Sequence, residues 1–489
     1  MRTLTLGTPR LTAGLDQHHR VDHTAHRDLH GPLPQLGADD LITLAGLGSL
    51  RGRGGAGFPF ARKVRAVQTS VLRHDSTARV VVNGTEGEPG SVKDRMLLTR
   101  APHLVLDGAE LAARALGSPE VVIGVADEGS RAADPVLDSL RSAVDERGSG
   151  TVFRVVRMPD RFVSGQAGAL VQGINGRVPL PPGTPRRTSE SGVAGLPTLL
   201  SNAETYAQLA VLAIGGADRY AEEGCASQPG TVLLSVSGDT VVETAAGTRL
   251  SRLLSACGLS SARAVLVGGY HGAWLSAEEM PRARLSRDGM SEVGGTLGAG
   301  IVLPVTGDTC PLGETARVLR YLARESSGQC GPCVRGMPAL TDSFVRLLSG
   351  EGSPEDVLVA AGIGEGKGAC AHPDGSAVFA RSALRVFSED LSTHSLTGGC
   401  SRPVKGELPL PDGYDTPVHP RLLVDWSRCD GHGLCAELLP GLVQLDRNGF
   451  PEEPDIPVPG PLEGDAELSV RMCPALALRI RAPEPGAAR

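Results

Sequence analysis

Arg79-Val-Val-Val-Asn83 runs directly into Asn83-Gly-Thr-Glu-Gly-Glu-Pro-Gly-Ser-Val-Lys-Asp-Arg95, and the reading of the fold turns on this stretch. Three consecutive valines mark a short apolar strand, because β-branched side chains suit a pleated surface. The glycine-rich loop that follows occupies the strand end, where open α/β sheets hold their ligands. Upstream, Arg51-Gly-Arg-Gly-Gly-Ala-Gly-Phe-Pro59 puts four glycines within six residues, with Lys63 close behind. Missing side chains let backbone amides approach a phosphate, and the lysine offers countercharge. One such loop fits a plain turn as well as an anion site; the second, at a strand end, favours a ligand.

Working outward, Val121–Ala126 and Phe153–Val156 repeat the strand pattern, with helix-like Leu104–Leu116 between the first strand and Val121. This alternation predicts an α/β multidomain protein whose first α/β domain spans 41–228. A second β-rich unit over 229–307 opens with Thr231-Val-Leu-Leu-Ser-Val-Ser-Gly-Asp239 and includes Ala264–Leu275, and is expected to be a small β-grasp domain. Over 308–400 the period becomes helical, with Met337, Leu340, Phe344 and Leu348 on one face and Phe379, Ala383, Phe387 and Leu391 on another. Residues 401–420 are proline-rich and predict a linker, and 421–489 form a separate module. Residues 1–40 show no periodicity and are expected to be a poorly specified lead-in.

A length of 489 residues is too great for one core. No stretch approaches the roughly 18 apolar residues of a membrane helix, and the N-terminus lacks a signal-like apolar segment, so a cytoplasmic protein without membrane insertion is expected. The formal charge of −7, with no basic stripe interleaved with aromatics, argues against nucleic acid. Six of ten cysteines are clustered, which in a reducing compartment points to metal or redox sites before disulfides.

In order, RGRGGAGFP, NGTEGEPGSVKDR and Leu200-Ser-Asn-Ala-Glu-Thr205 resemble the FMN and NADH motifs of the NADH-binding, FMN- and iron–sulfur-containing flavoprotein subunit of respiratory complex I. The resemblance spans about 45–390 and implies a Rossmann-like FMN domain, a β-grasp domain and a helical bundle carrying a cluster. By carry-over, Gly52, Gly54, Gly55, Lys63, Asn83, Ser201 and Asn202 would contact FMN, and Phe58 would lie near the nucleotide. Glu86 and Glu88 would lie beside the flavin on the nicotinamide side as the catalytic pair. Two departures bear on hydride delivery. The family's aspartate is Thr85 here, and its Tyr-Ile-Cys-Gly-Glu-Glu-Thr-Ala-Leu segment appears as Phe162-Val-Ser-Gly-Gln-Ala-Gly-Ala-Leu170, so the glutamate pair has become Gln166 and Ala167.

Ser326-Ser-Gly-Gln-Cys-Gly-Pro-Cys333 with Cys370 resembles the family's cube-cluster site with Ser327 in place of the first cysteine. Converging soft donors suit an iron–sulfur cluster of four or three irons, and three cysteines with a fourth donor also suit zinc. His372 is read as structural. At the C-terminus, Cys429-Asp-Gly-His-Gly-Leu-Cys435 with Cys473-Pro474 resembles the single-cluster ferredoxins of actinobacteria that feed haem-thiolate monooxygenases. His432 stands in the second cysteine position, which goes with a [3Fe–4S] centre; a [4Fe–4S] cube with His432 as fourth ligand is the alternative. Cys225, Cys257, Cys310 and Cys400 stand alone and are read as buried or incidental thiols.

The parts imply an oxidoreductase that passes electrons from NAD(P)H through FMN and iron–sulfur clusters to its own ferredoxin. The expected partner is a redox protein such as a haem-thiolate monooxygenase or a membrane reductase. The alternative is an electron carrier that has lost nucleotide binding and is reduced by a partner protein. An ungapped alignment back from Leu200 puts Gly183-Thr-Pro-Arg-Arg-Thr188 where the family packs adenine, and Arg186 and Arg187 would suit a 2′-phosphate.

Overall fold

The computed structural model describes residues 1–127, 134–148, 150–183, 186–397, 399–411, 414, 420–458 and 462–481. In chain order its strands are β1 (Arg2–Leu6), β2 (Arg79–Gly84), β3 (Glu120–Asp127), β4 (Val152–Pro159), β5 (Thr198–Asn202), β6 (Gly224–Cys225), β7 (Gln228–Pro229), β8 (Thr231–Val236), β9 (Thr240–Ala245), β10 (Ala264–Val267), β11 (Ala273–Leu275), β12 (Ile301–Val305), β13 (Arg421–Val424), β14 (Asp455–Pro457) and β15 (Leu478–Arg481). The chain divides into two compact units, Met1–Leu410 and Pro411–Arg489. Its architecture is mixed α/β with parallel pairing in the larger unit.

The first sheet has the order β4-β3-β2-β5 and is wholly parallel. Val80, Val81 and Val82 are fully buried, as a strand covered on both faces requires. From β2 the chain steps to β3 and β4 on one side, then returns to lay β5 on the other. The order therefore reverses at β2, which makes a crevice beyond the carboxyl ends of β2 and β5. Register sets Asn83 at the end of β2 opposite Asn202 at the end of β5. Behind the sheet, helix Pro102–Leu116 lies against helix Ala203–Ala221. Gly108 makes that approach possible, since a Cβ there would fall 1.9 Å from the Tyr206 carbonyl oxygen.

The second sheet is mixed, with the order β1-β9-β8-β12-β10-β11. It corrects the expected lead-in: β1 pairs in parallel with β9, from Arg2 opposite Thr240 to Leu6 opposite Thr244. The alternating Arg-Thr-Leu-Thr-Leu pattern is a strand too short to stand out before its partner is known. Buried Glu243 of β9 then accepts from the Leu11 and Thr12 amides at 2.9 and 2.8 Å, which fastens the segment after β1. Helix His23–His30 follows, N-capped by Asp22, with buried His26 2.8 Å from Asp107.

Helices Pro311–Arg324, Met337–Leu348, Pro354–Ile363, His372–Val386 and Ser388–Thr397 form the helical part. Met337, Leu340 and Phe344 are buried as the period predicts, with Leu347 rather than Leu348 completing the face. Phe379, Ala383, Phe387 and Leu391 are all buried. The linker expectation is corrected in its first half. The Pro403 carbonyl accepts from Cys310 N at 2.8 Å, Gly406 N donates to Glu314 at 2.7 Å, and Leu408 is fully buried. Most of 411–420 lies outside the described residues.

Pro411–Arg489 has its own three-stranded sheet, β14-β13-β15, over a core of Leu422, Leu439, Ile456, Val458 and Ala466. Among the described residues no helix is long and apolar enough to cross a membrane.

Candidate functional site

A cleft of ≈ 260 Å³ opens at the crevice between β2 and β5. Gly54, Asn83, Glu86, Glu88 and Asn202 line it, together with Gly87, Lys93, Asp94, Phe162, Gln166, His271, His372 and Cys370. The three glycine- and asparagine-bearing motifs, far apart in sequence, meet in one place. Gly87 in this loop has no room for a side chain: a Cβ there would lie 2.4 Å from the Arg161 carbonyl oxygen.

One buried charged network ties the three motifs. The Lys93 ammonium lies 2.6 Å from Glu204 and 3.5 Å from Asp94, and donates to the Arg53 carbonyl at 3.3 Å. Asp94 accepts from the Asn202 carboxamide at 3.0 Å and from the Glu204 amide at 2.9 Å, while Arg53 N donates to Thr205 at 2.9 Å. Desolvation pulls the Lys93 ammonium down, but the carboxylates of Asp94 and Glu204 outweigh it and hold the group above its ordinary range. Asp94 is pushed up, by burial first and by Glu204, against the pull of Lys93. Lys93 is one of only four lysines in the chain and falls within the second glycine-rich motif, but its pairing with buried Glu204 appears only in three dimensions.

The two expected catalytic carboxylates differ. Glu86 accepts from Ser91 Oγ at 2.6 Å and from the amides of Asp94 and Arg95 at 2.9 and 2.7 Å, so it caps helix Lys93–Arg100. These donors hold it at φ 25°, in the left-handed region that favours glycine. Glu88 accepts from the Tyr270 amide, and desolvation in the cleft wall lifts its carboxyl to about 7. Gly269 is required beside it, since a Cβ there would lie 2.1 Å from the Glu88 carboxylate.

Asn83 donates to the Gly165 carbonyl at 2.8 Å and accepts from Thr85 Oγ1 at 2.7 Å, which fixes its carboxamide at the cleft. Gln166 N-caps its own helix by accepting from Ala169 N at 2.9 Å. Lys63 stands back from the cleft and donates to the Leu200 carbonyl at 2.7 Å, with Ser201 Oγ at 3.5 Å. Desolvation lowers its pKa, and no carboxylate among the described residues pairs with it, so an anionic group would complete its surroundings. Gly52, Gly55 and Phe58 also lie off the cleft. Phe58 is exposed, and Arg287 donates to the carbonyls of Gly52 and Gly55 at 3.4 and 2.9 Å. Arg186 and Arg187 are exposed, while Thr184 and Pro185 between them and Gly183 lie outside the described residues.

Cys370 is where the cleft meets the first cysteine cluster. A π-helical turn, Pro332–Gly336, carries Cys333, whose sulfur lies 3.5 Å from Cys330 Sγ and 3.6 Å from Ser327 Oγ. Burial raises the Cys370 thiol, and the Cys333 and Cys330 thiols nearby add to the rise. Three thiols and a hydroxyl are a donor set that suits an iron–sulfur cluster. His372 is held structurally: its Nε2–H donates to the Leu322 carbonyl at 2.8 Å, which leaves Nδ1 to accept from His271 at 3.0 Å. Burial drives His271 down to about 3 and also lowers His372, so the pair is uncharged near neutrality.

In the C-terminal unit Cys429, His432, Cys435 and Cys473 line one small hollow, entered through left-handed Gly431 and Gly433. The Ala477 amide donates to Cys473 Sγ at 3.4 Å, a contact that favours a thiolate. Of the four cysteines read as solitary, Cys225 and Cys257 are half-buried and ungrouped among the described residues. Cys310 and Cys400 correct that reading, because they converge with His394.

These features define an iron–sulfur flavoprotein. Residues 47–211 match the Nuo51 FMN-binding domain, 314–394 the NADH-ubiquinone oxidoreductase-F iron–sulfur binding region, and 422–480 a 4Fe-4S single cluster domain. The F-type subunit of NADH-quinone oxidoreductase from Mycobacterium bovis is 30% identical over 402 residues, covering 77% of this chain and 89% of that protein. An F-type subunit of the same enzyme from Rhizobium meliloti is 28% identical over 395 residues, covering 76% and 92%. Among solved structures, an NAD+-reducing [NiFe]-hydrogenase in the H2-reduced state superposes with TM-score 0.68 at 25% identity, over 81% of this chain and 68% of that one. The chain belongs to the family of NADH-quinone oxidoreductase F-type subunits, with a 4Fe-4S single cluster domain in the same polypeptide.

Proposed function

We propose that this chain takes electrons from NAD(P)H at the cleft and delivers them, through its helical-domain cluster and its C-terminal ferredoxin, to an external redox protein. The observation that carries this reading is the cleft itself, whose wall includes the flavin-loop residues Gly54, Asn83 and Asn202, the carboxylate of Glu88 and the cluster cysteine Cys370. In this reading the parallel sheet is the Rossmann-like FMN domain and the mixed sheet the β-grasp domain. When bound, FMN supplies the conversion between a two-electron hydride donor and one-electron carriers, and the clusters supply the one-electron steps.

The chain's own residues set the stage. Asn83 and Asn202, immobilised by Thr85, Gly165 and Asp94, offer oriented carboxamides to the flavin. Lys63 supplies positive charge behind the glycine loop. Phe162 packs against the uncharged His271–His372 pair in the cleft wall beside Cys370. Glu88, with its carboxyl near 7 and the Tyr270 amide donating to it, is a group able to hold or release a proton there. The matched relatives point to an oxidoreductase assembly, rather than a haem-thiolate monooxygenase, as the setting of the external partner.

A second reading has support of its own. Glu86 is committed to a helix terminus and Gln166 to its own helix, so two positions tied to nicotinamide in the resemblance are engaged elsewhere. A carrier reduced by a protein partner would tolerate both. Anaerobic titration of the reconstituted chain with NADH and with NADPH separates the readings: stoichiometric bleaching of the flavin supports the oxidoreductase, and no bleaching by either supports the carrier. NADPH preference that disappears in Arg186→Ala, Arg187→Ala would place the 2′-phosphate at that pair.

A further inference from the structure

We propose that Cys310, His394 and Cys400 form a metal site of their own, separate from both clusters, for a divalent cation of the zinc class. The three ligand atoms all lie within 4.8 Å of one another, and Cys310 Sγ is 3.4 Å from His394 Nε2. Ligands around a single tetrahedral zinc, with bonds of 2.0–2.3 Å, stand about 3.3–3.8 Å apart. The Cys310–His394 separation falls in that range, and Cys400 lies close enough for its sulfur to join the same ion.

The imidazole is set for coordination. His394 Nδ1 lies 3.0 Å from the Leu348 carbonyl, which can only accept, so Nδ1 carries the proton. The Nε2 lone pair is then directed at the sulfur of Cys310. A second hydrogen bond that fixes tautomer and ring orientation is the usual outer partner of a metal-bound histidine. Cys310 is equally prepared. It is the N-cap of the 14-residue helix Pro311–Arg324, and its sulfur accepts from the Gly313 amide at 3.3 Å, which favours the thiolate. Arg402, paired with Asp390, adds positive charge close by.

Cys310 and His394 are 3% and 6% exposed, and Cys400 is half-buried, so a solvent molecule can complete a four-coordinate site from that side. Two thiolates and a divalent cation sum to zero charge, which suits a buried position. The ion would fasten the start of helix Pro311–Arg324, the end of helix Ser388–Thr397 and the segment entering 402–410.

The test uses the full-length chain with its flavin and clusters, purified with zinc in the medium. Elemental analysis should find about one zinc per chain, falling at least about fivefold in Cys310→Ser, Cys400→Ser and His394→Gln. Iron and flavin contents should stay unchanged in all three. Zinc K-edge absorption should show two sulfur ligands and at least one nitrogen. In the unmutated chain, Cys310 and Cys400 should resist alkylation until a chelator removes the zinc, a measurement independent of any variant's folding. The proposal is overturned if zinc is absent from the unmutated chain, or if zinc persists in these variants but is lost in Cys333→Ser. A Cys310–Cys400 disulfide in place of zinc overturns it too.

Discussion

Lys93→Met tests whether the charged network beneath the cleft holds the flavin loops together. Methionine keeps the length and apolar stem of lysine but deletes the charge. The Lys93 and Glu204 side chains are 1% and 2% exposed at 2.6 Å separation, and Asp94 is 3.5 Å away, so the variant leaves buried carboxylates without their cation. Breaking a buried pair by removing one partner costs about 3–5 kcal/mol. At a urea dependence of about 2 kcal/mol per molar, the midpoint for flavin release should fall by about 1.5–2.5 M. Lys93→Met combined with Glu204→Gln should recover about half of that loss, since fewer buried charges remain unpaired. The effect also has a sign in pH. Asp94 is already raised in the folded state, and losing Lys93 raises it further. A carboxyl raised on folding weakens the folded state as pH climbs from the unfolded to the folded pKa, so the deficit should be larger at about pH 8 than at about pH 5. Midpoints for Lys93→Met and the parent within about 0.3 M at both pH values would refute the reasoning.

Glu88→Gln should remove an ionisation near 7 from the pH profile of flavin reduction by NADH, followed by stopped-flow absorbance between about pH 6 and 8; an unchanged profile means Glu88 is not the titrating group. Because the folded carboxyl is raised, its contribution to stability declines as pH rises from the ordinary glutamate range to about 7, and urea midpoints of Glu88→Gln should lack that decline. Ser327→Cys completes four thiolates at the helical-domain cluster, so iron per chain should rise or hold and the reduced-state EPR signal should sharpen into a single species; lower iron content would count against Ser327 at the ligand position. The isolated unit Pro411–Arg489, which has its own core, should bind a three-iron centre through Cys429, Cys435 and Cys473 that is EPR-active when oxidised. A signal appearing only on reduction would instead favour four irons with His432 as ligand.

Much of the fold was legible because its signals are local. The valine run of β2, the apolar run of β3 and the helical period of Met337, Leu340 and Phe344 each state their own burial. What escaped was structure that depends on a distant partner. Arg2–Leu6 becomes a strand only against β9, half a chain away, and residues 402–410 become ordered by pairing with Glu314 and Cys310. Neither dependence leaves a periodic trace in the segment itself.

The site divides along the same line. The glycine loops and asparagines could be read because backbone geometry and strand ends impose residue types at fixed spacing, and Gly54, Asn83 and Asn202 do meet in one cleft. Roles of charged residues were less legible, because a carboxylate's chemistry is decided by the donors around it. Glu86 and Glu88 are two positions apart, both line the cleft and both are raised by burial, yet Glu86 is spent on Ser91 and the amides of Asp94 and Arg95 while Glu88 accepts from the Tyr270 amide. Cys310 and Cys400 make the same case for thiols. Ninety positions apart, they show no motif, and only the return of the chain past His394 brings their sulfurs within reach of one ion. Short-range spacing therefore identifies cluster cysteines that share a loop, whereas a site built from three separated elements has to be read from the packing that assembles it.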